Sequence, residues 1–184
     1  MLKNKIRLIL KEVDDVLSRI KEDEVNVLIK NIIESDKIVV IGAGRMGLGA
    51  KAFAMRLMHL GLNAYSLNDS NLPSIESNDL LIVCSGSGET QTIYDFVSIA
   101  KKMGVKITTI TAHPDSRIGN LSDSVVEIKA PSKIGTLDSS ISIQPMTTLM
   151  EQSLFLFFDG LVLELMEKLN ISSDQMKIRH SVLE

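Results

Sequence analysis

The chain has 184 residues, 45% of them hydrophobic, enough for one domain with a proper core and too apolar for default disorder. Its net charge of -3, from 20 basic and 23 acidic residues, supplies no basic face of the density that nucleic acid or an anionic membrane demands. The single cysteine excludes an internal disulfide and fits a reducing compartment. Charges interrupt residues 1–20 throughout, so no signal-peptide core is present there. The longest apolar run, 154–158, is far shorter than the about 20 residues that span a bilayer. A soluble, cytoplasmic protein is expected.

Residues 3–20 place Ile6, Ile9, Leu10, Val13, Val16, Leu17 and Ile20 at helical spacing, and 24–33 do the same with Val25, Leu28, Ile29, Ile32 and Ile33. Two amphipathic helices thus precede the first strand. The leading stripe can cover its own domain or pack on a second subunit. Residues 37–41 form a β-branched strand, apolar on both faces as in the middle of a parallel sheet. The segment Gly42-Ala43-Gly44-Arg45-Met46-Gly47 comes next, opening a helix that ends near Leu60, with Gly61 as its stop. Further strands are expected at 63–67, 79–84, 106–111 and 124–128, with a polar loop at 68–78 and a helix at 90–103. Asp115 or Ser116 caps a short helix after the fourth strand. Residues 129–144 read as a loop punctuated by Pro131 and Gly135. A long helix over 147–169 is apolar nearly all round and therefore buried on several sides, in part by another subunit. A last short helix, capped by Ser172 or Ser173, leads to the tail 179–184. Strands alternating with helices give an α/β fold with a parallel sheet.

Two glycine-rich loops carry the chemistry. The first fits the G-x-G-x-x-G dinucleotide fingerprint, and Asp69 stands near the position of the ribose-binding acid. However, Asp69 lies in an Asn-Asp-Ser-Asn run that any turn would use, and little chain remains for a substrate domain. The second loop, Ser85-Gly86-Ser87-Gly88-Glu89-Thr90, closes another strand and opens another helix. Three hydroxyls, loop N–H groups and a helix N-terminus at one point suit a phosphate. Glu89 would repel that phosphate and is expected to point away. Arg45 is placed to grip the phosphate or a sugar hydroxyl.

These loops, Gly42-x-Gly44-Arg45 after one strand and Ser85-Gly86-Ser87-Gly88-x-Thr90 after the next, resemble the sugar isomerase (SIS) domain family, which binds phosphosugars. The segments 53–61 (Phe-Ala-Met-Arg-Leu-Met-His-Leu-Gly), 144–152 (Gln-Pro-Met-Thr-Thr-Leu-Met-Glu-Gln) and the tail 179–184 (Arg-His-Ser-Val-Leu-Glu) look like the 6-phospho-3-hexuloisomerase branch. The resemblance covers nearly the whole chain, with two departures: Thr147 stands where the family commonly has Gly, and Met150 where it commonly has Phe. It implies a single domain over 1–184, a three-layer sandwich with a five-stranded parallel sheet of flavodoxin-like order 2-1-3-4-5. In that order both glycine loops open onto the crevice at the topological switch point. Helices 3–34 and the helix plus tail 147–184 would lie at the interfaces of a homo-oligomer, a tetramer by resemblance.

The implied activity interconverts D-arabino-3-hexulose 6-phosphate and D-fructose 6-phosphate, a step of the ribulose monophosphate route of formaldehyde fixation, without a cofactor. Proton transfer through a cis-enediol needs one group that acts as base and then acid. The resemblance assigns this to Glu151, early in the long helix, with His180 of the tail as second catalytic group reaching a neighbouring crevice. His59, in the last turn of its helix, ranks below His180. Phosphate and substrate fall to Gly42, Gly44, Arg45, Ser85, Gly86, Ser87, Gly88 and Thr90. Cys84 reads as a buried small hydrophobe and His113 as loop chemistry. Three histidines without paired ligand spacing predict no metal site. Two alternatives stand beside the isomerase: a sugar-phosphate-sensing SIS module without catalysis, and a dinucleotide-binding protein.

Overall fold

The computed structural model describes residues 1–67, 69–132 and 142–182. Most of the loop expected over 129–144, with Gly135 in it, lies outside them, as do Asn68 and the tail residues Leu183 and Glu184. The elements run α1 (Leu2–Leu17), α2 (Glu22–Glu34), β1 (Ile38–Gly42), α3 (Gly44–His59), β2 (Ala64–Ser66), β3 (Leu80–Cys84), α4 (Gln91–Lys102), β4 (Lys106–Thr111), α5 (Arg117–Leu121), β5 (Ser124–Glu127), α6 (Thr148–Leu169) and α7 (Ser173–Ile178). Ser116, not Asp115, caps α5, accepting from the Gly119 N–H. Ser172 caps α7 in a reciprocal pair with Gln175.

The five strands form one all-parallel sheet in the order β2-β1-β3-β4-β5. The alternation of side chains along a strand turns this sheet into a divider. Ile38 and Val40 of β1 join a core built with α2, α3 and α6, whereas Val39 and Ile41 face a second core built with α4 and α5. Because both faces are covered, β1 and β3 can be apolar at nearly every position. Two of the polar groups inside are tied across the sheet. Asn31 of α2 donates to Thr108 Oγ1 at 3.2 Å, and Lys37 Nζ meets the buried Asp79 carboxylate at 2.9 Å.

α3 and α6 pack face to face through Phe53 and Phe158, whose rings stack with centroids 4.0 Å apart. α1 lies against α6 and enters the core through Val13 and Val16. Its leading half keeps Ile6 and Leu10 exposed. α6 is likewise less enclosed within one chain than its composition suggests. Its inner face holds Leu149, Met150, Leu154, Phe157, Phe158, Leu161 and Leu165, but Leu156 is 46% and Leu163 62% exposed. Among the described residues no helix is long and apolar enough to cross a membrane.

Candidate active site

The sheet order puts the ends of β1 and β3 side by side, and each feeds a glycine loop. At the first, α3 turns back tightly over the strand that precedes it. A Cβ on Gly47 would stand 2.6 Å from the Gly42 carbonyl oxygen, so Gly47 permits the helix to pass. Close packing of strand and helix thus accounts for this part of the dinucleotide-like pattern. Asp69 does not line the crevice between the two loops; its Oδ2 accepts from the Ser66 N–H at 2.8 Å and closes the turn after β2.

The second loop is held from behind by β4 and α5. Ser85 N–H donates to Ile110 O, and Ala112 N–H and Thr111 Oγ1 donate to Gly86 O. The buried Ser85 hydroxyl accepts the Gly88 N–H at 3.1 Å, and Ser87 Oγ accepts that of Glu89 at 3.2 Å. Gly88 has a φ of +65°, and a Cβ there would overlap the Ser116 side chain. Only glycine lets the loop close on α5. Glu89 points away as expected. Its carboxylate takes the backbone N–H and guanidinium of Arg117, which hold it below the usual carboxylate range. Thr90 precedes α4 with an extended backbone and no side-chain cap, so no hydroxyl occupies the first-turn N–H groups of that helix.

The third wall is the entrance to α6. Met146 takes a left-handed backbone, φ 57°, and turns the chain into the helix at Thr147. Thr147 stands at the N-cap but makes no cap; its hydroxyl donates to Glu151 Oε1 at 2.9 Å. Arg45, from the first turn of α3, puts Nη1 2.7 Å from Glu151 Oε2 and 3.4 Å from Thr148 Oγ1. The Glu151 side chain is 12% exposed and that of Arg45 56%. The carboxylate is thus held at the crevice wall by one hydroxyl and one cation, with its head still reachable. Together the three walls enclose a crevice of about 330 Å³. Gly44, Arg45, Ser85, Gly86, Ser87, Thr90 and Glu151 line it, with Met146, Thr147, Thr148 and Met150. Cys84 lies at its floor, fully buried, and burial pushes its thiol well up, so it remains a neutral thiol. Among the described residues no group of three His, Cys, Asp or Glu is gathered as a metal ion would need.

Gly42 and Gly88 support the loops from just outside the crevice lining. The histidines do not join it within this chain. His59 is buried at the far end of α3 from Arg45, about 20 Å along the helix axis. His180 packs beside it, ring centroids 5.1 Å apart, and Arg179 Nη1 donates to the His59 carbonyl. His113 is tied to Ser132 through Nε2 at 2.6 Å. Met146 and Thr148 are lining residues that the sequence does not single out, while Thr147 and Met150, the two departures near Glu151, both line the crevice. Thr147 before a helix reads as a cap, and only the fold shows its hydroxyl turned to the carboxylate one helical turn on.

The SIS domain family matches residues 31–156. A protein of Bacillus subtilis (strain 168) named 3-hexulose-6-phosphate isomerase is 39% identical over 176 residues, 96% of this chain and 95% of its own length. A Mycobacterium gastri protein of the same name is 36% identical over 181 residues, 98% of this chain and 90% of its own. A crystal structure from Methanococcus jannaschii, from which a function of 3-hexulose-6-phosphate isomerase was inferred, superposes with a TM-score of 0.84 at 27% identity, covering 98% of this chain and 99% of that one.

Proposed function

The chain belongs to the SIS domain family, and on that premise we propose that it is a phosphosugar isomerase interconverting D-arabino-3-hexulose 6-phosphate and D-fructose 6-phosphate. The observation that carries the reading is the shared crevice: a hydroxyl- and glycine-lined loop at the end of β3 and the Glu151 carboxylate open onto the same space. The names of the Bacillus subtilis and Mycobacterium gastri relatives support 3-hexulose 6-phosphate as the substrate. The phosphate docks on Ser87, Thr90 and the loop amides at the start of α4, where the helix dipole favours an anion. Arg45 exchanges its contact with Glu151 for one with the substrate, freeing the base.

Glu151 takes the proton from C2 of the 3-hexulose, the electron pair forms the C2–C3 double bond, and the C3 carbonyl oxygen becomes the second enediol oxygen. The hydroxyl proton passes from O2 to O3, the part given to His180. Glu151 then returns its proton to C3 while the C2 carbonyl forms. No redox partner enters this balance. Glu151 meets Arg45 at the start of α3 while His180 lies against His59 at its end, which supports a reading in which the tail acts on the crevice of a neighbouring subunit. The exposed Leu156 and Leu163 of α6 and the uncovered stripe of α1 support assembly, in line with a homotetramer. The reaction belongs to the ribulose monophosphate route in the cytoplasm.

Proton NMR of D-fructose 6-phosphate incubated with the protein in deuterated water tests the reading. Growth of the 3-hexulose and loss of the C3–H signal are expected. Binding of the sugar phosphate with no exchange of any C–H would instead identify a sensing module. The variant Glu151→Gln should lower turnover by about 10³-fold or more while fructose 6-phosphate still binds; turnover at the wild-type rate would remove Glu151 from the mechanism.

A further inference from the structure

The carboxylate of Glu12, on α1, is spent on one short segment of the chain. Its Oε1 accepts the Ile143 N–H at 2.9 Å, and its Oε2 accepts the Ser142 hydroxyl at 2.7 Å and the Gln144 side-chain amide at 2.9 Å. Ser142 Oγ accepts the Gln144 N–H in turn, so the segment is folded on itself around that carboxylate. The other amide atom of Gln144, Oε1, is buried with no hydrogen-bond partner, which leaves Glu12 as the group that fixes the orientation of this side chain.

Directly after this segment the chain enters the active-site helix. Pro145 O accepts both the N–H and the hydroxyl of Thr148, Met146 turns through its left-handed backbone, and Thr147 delivers its hydroxyl to Glu151. A left-handed methionine persists only where its surroundings over-determine it. Here the fixed points on either side are the Glu12 carboxylate and the first turn of α6. Glu12 lies before residue 31, outside the SIS segment, on a helix with no residue lining the crevice.

We propose that Glu12 is a positioning residue for Glu151: through the 142–147 segment and the Thr147 hydroxyl, α1 sets where the catalytic carboxylate stands. This rests on the reading of Glu151 as the base. Burial of Glu12 would by itself push its carboxyl up, but the bonds from Gln144, Ile143 and Ser142 outweigh that and hold it below its ordinary value. The group is therefore a charged acceptor at neutral pH, which is what three converging donors require. Positional errors of an ångström at a reacting centre cost orders of magnitude in rate.

The test compares the wild type with Glu12→Gln, Gln144→Ala, their double variant and Val16→Ala in steady-state isomerisation of the 3-hexulose phosphate. Val16 is a buried apolar residue of α1 that does not line the crevice, so its truncation loosens the helix without removing a polar contact to the segment. The expected result is a fall in kcat of about tenfold or more for Glu12→Gln and Gln144→Ala, with KM changed less than about twofold. The double variant should be no worse than the worse single one, and Val16→Ala should keep the wild-type kcat despite a lower Tm. An unchanged kcat for Glu12→Gln, additive losses in the double variant, or an equal loss in Val16→Ala overturns the proposal. Amide hydrogen exchange at 143–148 separates this from failure of the isomerase reading. Faster exchange there in Glu12→Gln supports the mechanical link even if the wild type proves inactive on this sugar; unchanged exchange overturns the link even if Glu151 proves to be the base.

Discussion

Arg45 Nη1 stands 2.7 Å from Glu151 Oε2, so the crevice's cation and its carboxylate neutralise one another across the gap between α3 and α6. A free carboxylate beside a phosphate site would repel the substrate; one already paired does not. The pair also keeps Arg45 aimed inward although more than half of its side chain is exposed. On the proposed mechanism the guanidinium turns to an anionic or hydroxyl oxygen of the substrate and leaves Glu151 to act as base. Arg45→Met should therefore lower kcat/KM by about 10- to 100-fold, the worth of one hydrogen bond to a charged group, mostly through KM. Steady-state kinetics at neutral pH checks this, and a loss confined to kcat would show that the arginine serves Glu151 alone.

The two loop serines do different work and should separate in experiment. Both line the crevice, but Ser85 is buried with its hydroxyl on the buried Gly88 N–H, whereas Ser87 is partly exposed with its hydroxyl on the Glu89 N–H. Ser85→Ala leaves a buried N–H with one acceptor fewer and should cost about 1 kcal/mol of stability, seen as a lower denaturation midpoint. Ser87→Ala should keep the wild-type midpoint and raise KM for the sugar phosphate several-fold. Equal effects of the two substitutions on both quantities would mean that the loop binds ligand through its backbone alone.

These roles show which parts of the molecule are legible in the sequence. The strands can be read because β-branched runs between glycine loops have one solution in a parallel sheet, and the crevice loop after β3 because three hydroxyls and two glycines come directly after that strand. Glu89 can be read as pointing outward from its charge alone; that Arg117 receives it cannot. The bond from Thr147 to Glu151 is hidden because a threonine before a helix normally caps it, and this one turns to the carboxylate instead. Glu12 is hidden because its three donors lie 130 to 132 residues away, beyond any local pattern. The composition of α6 overstates how far its own chain covers it. Leu156 and Leu163 are apolar without being enclosed by that chain, and periodicity says only that a face is apolar, not what covers it.

The Glu12 cluster gives a pH dependence with a definite sign. A carboxyl held below its ordinary value near 4.5 contributes stability that is present above that value and lost as pH falls through the lowered one. Glu89, held down by Arg117, acts in the same acid window. The melting temperature of the wild type should therefore drop as pH falls below about 4.5, and Glu12→Gln should drop less steeply. At pH 7 the variant should melt about 2–4 °C below the wild type, corresponding to about 1 kcal/mol in a chain of this length. Thermal melts from pH 3 to 7 measure both, and parallel curves for the two proteins would show that the Glu12 carboxyl has no special value in the fold.

The place of His180 decides whether the crevice is complete in one chain. Beside His59, at the end of α3 remote from Arg45, the ring cannot serve the Glu151 of its own subunit without the tail leaving its contacts with His59. Action on a neighbouring crevice makes each site a composite of two chains. In that case Glu151→Gln and His180→Ala should each be nearly inactive as pure proteins. Co-expressed and purified as mixed oligomers, they should regain activity well above the sum of the parents. Some crevices then combine the intact glutamate of a His180→Ala chain with the intact histidine of a Glu151→Gln chain. If His180 served its own subunit, no chain in the mixture would hold both groups and the activity would stay at the parental level. Leu163→Asp, which places a charge on the exposed face of α6, supplies the control: it should leave a smaller species in light scattering, and combined with either variant it should abolish the rescue.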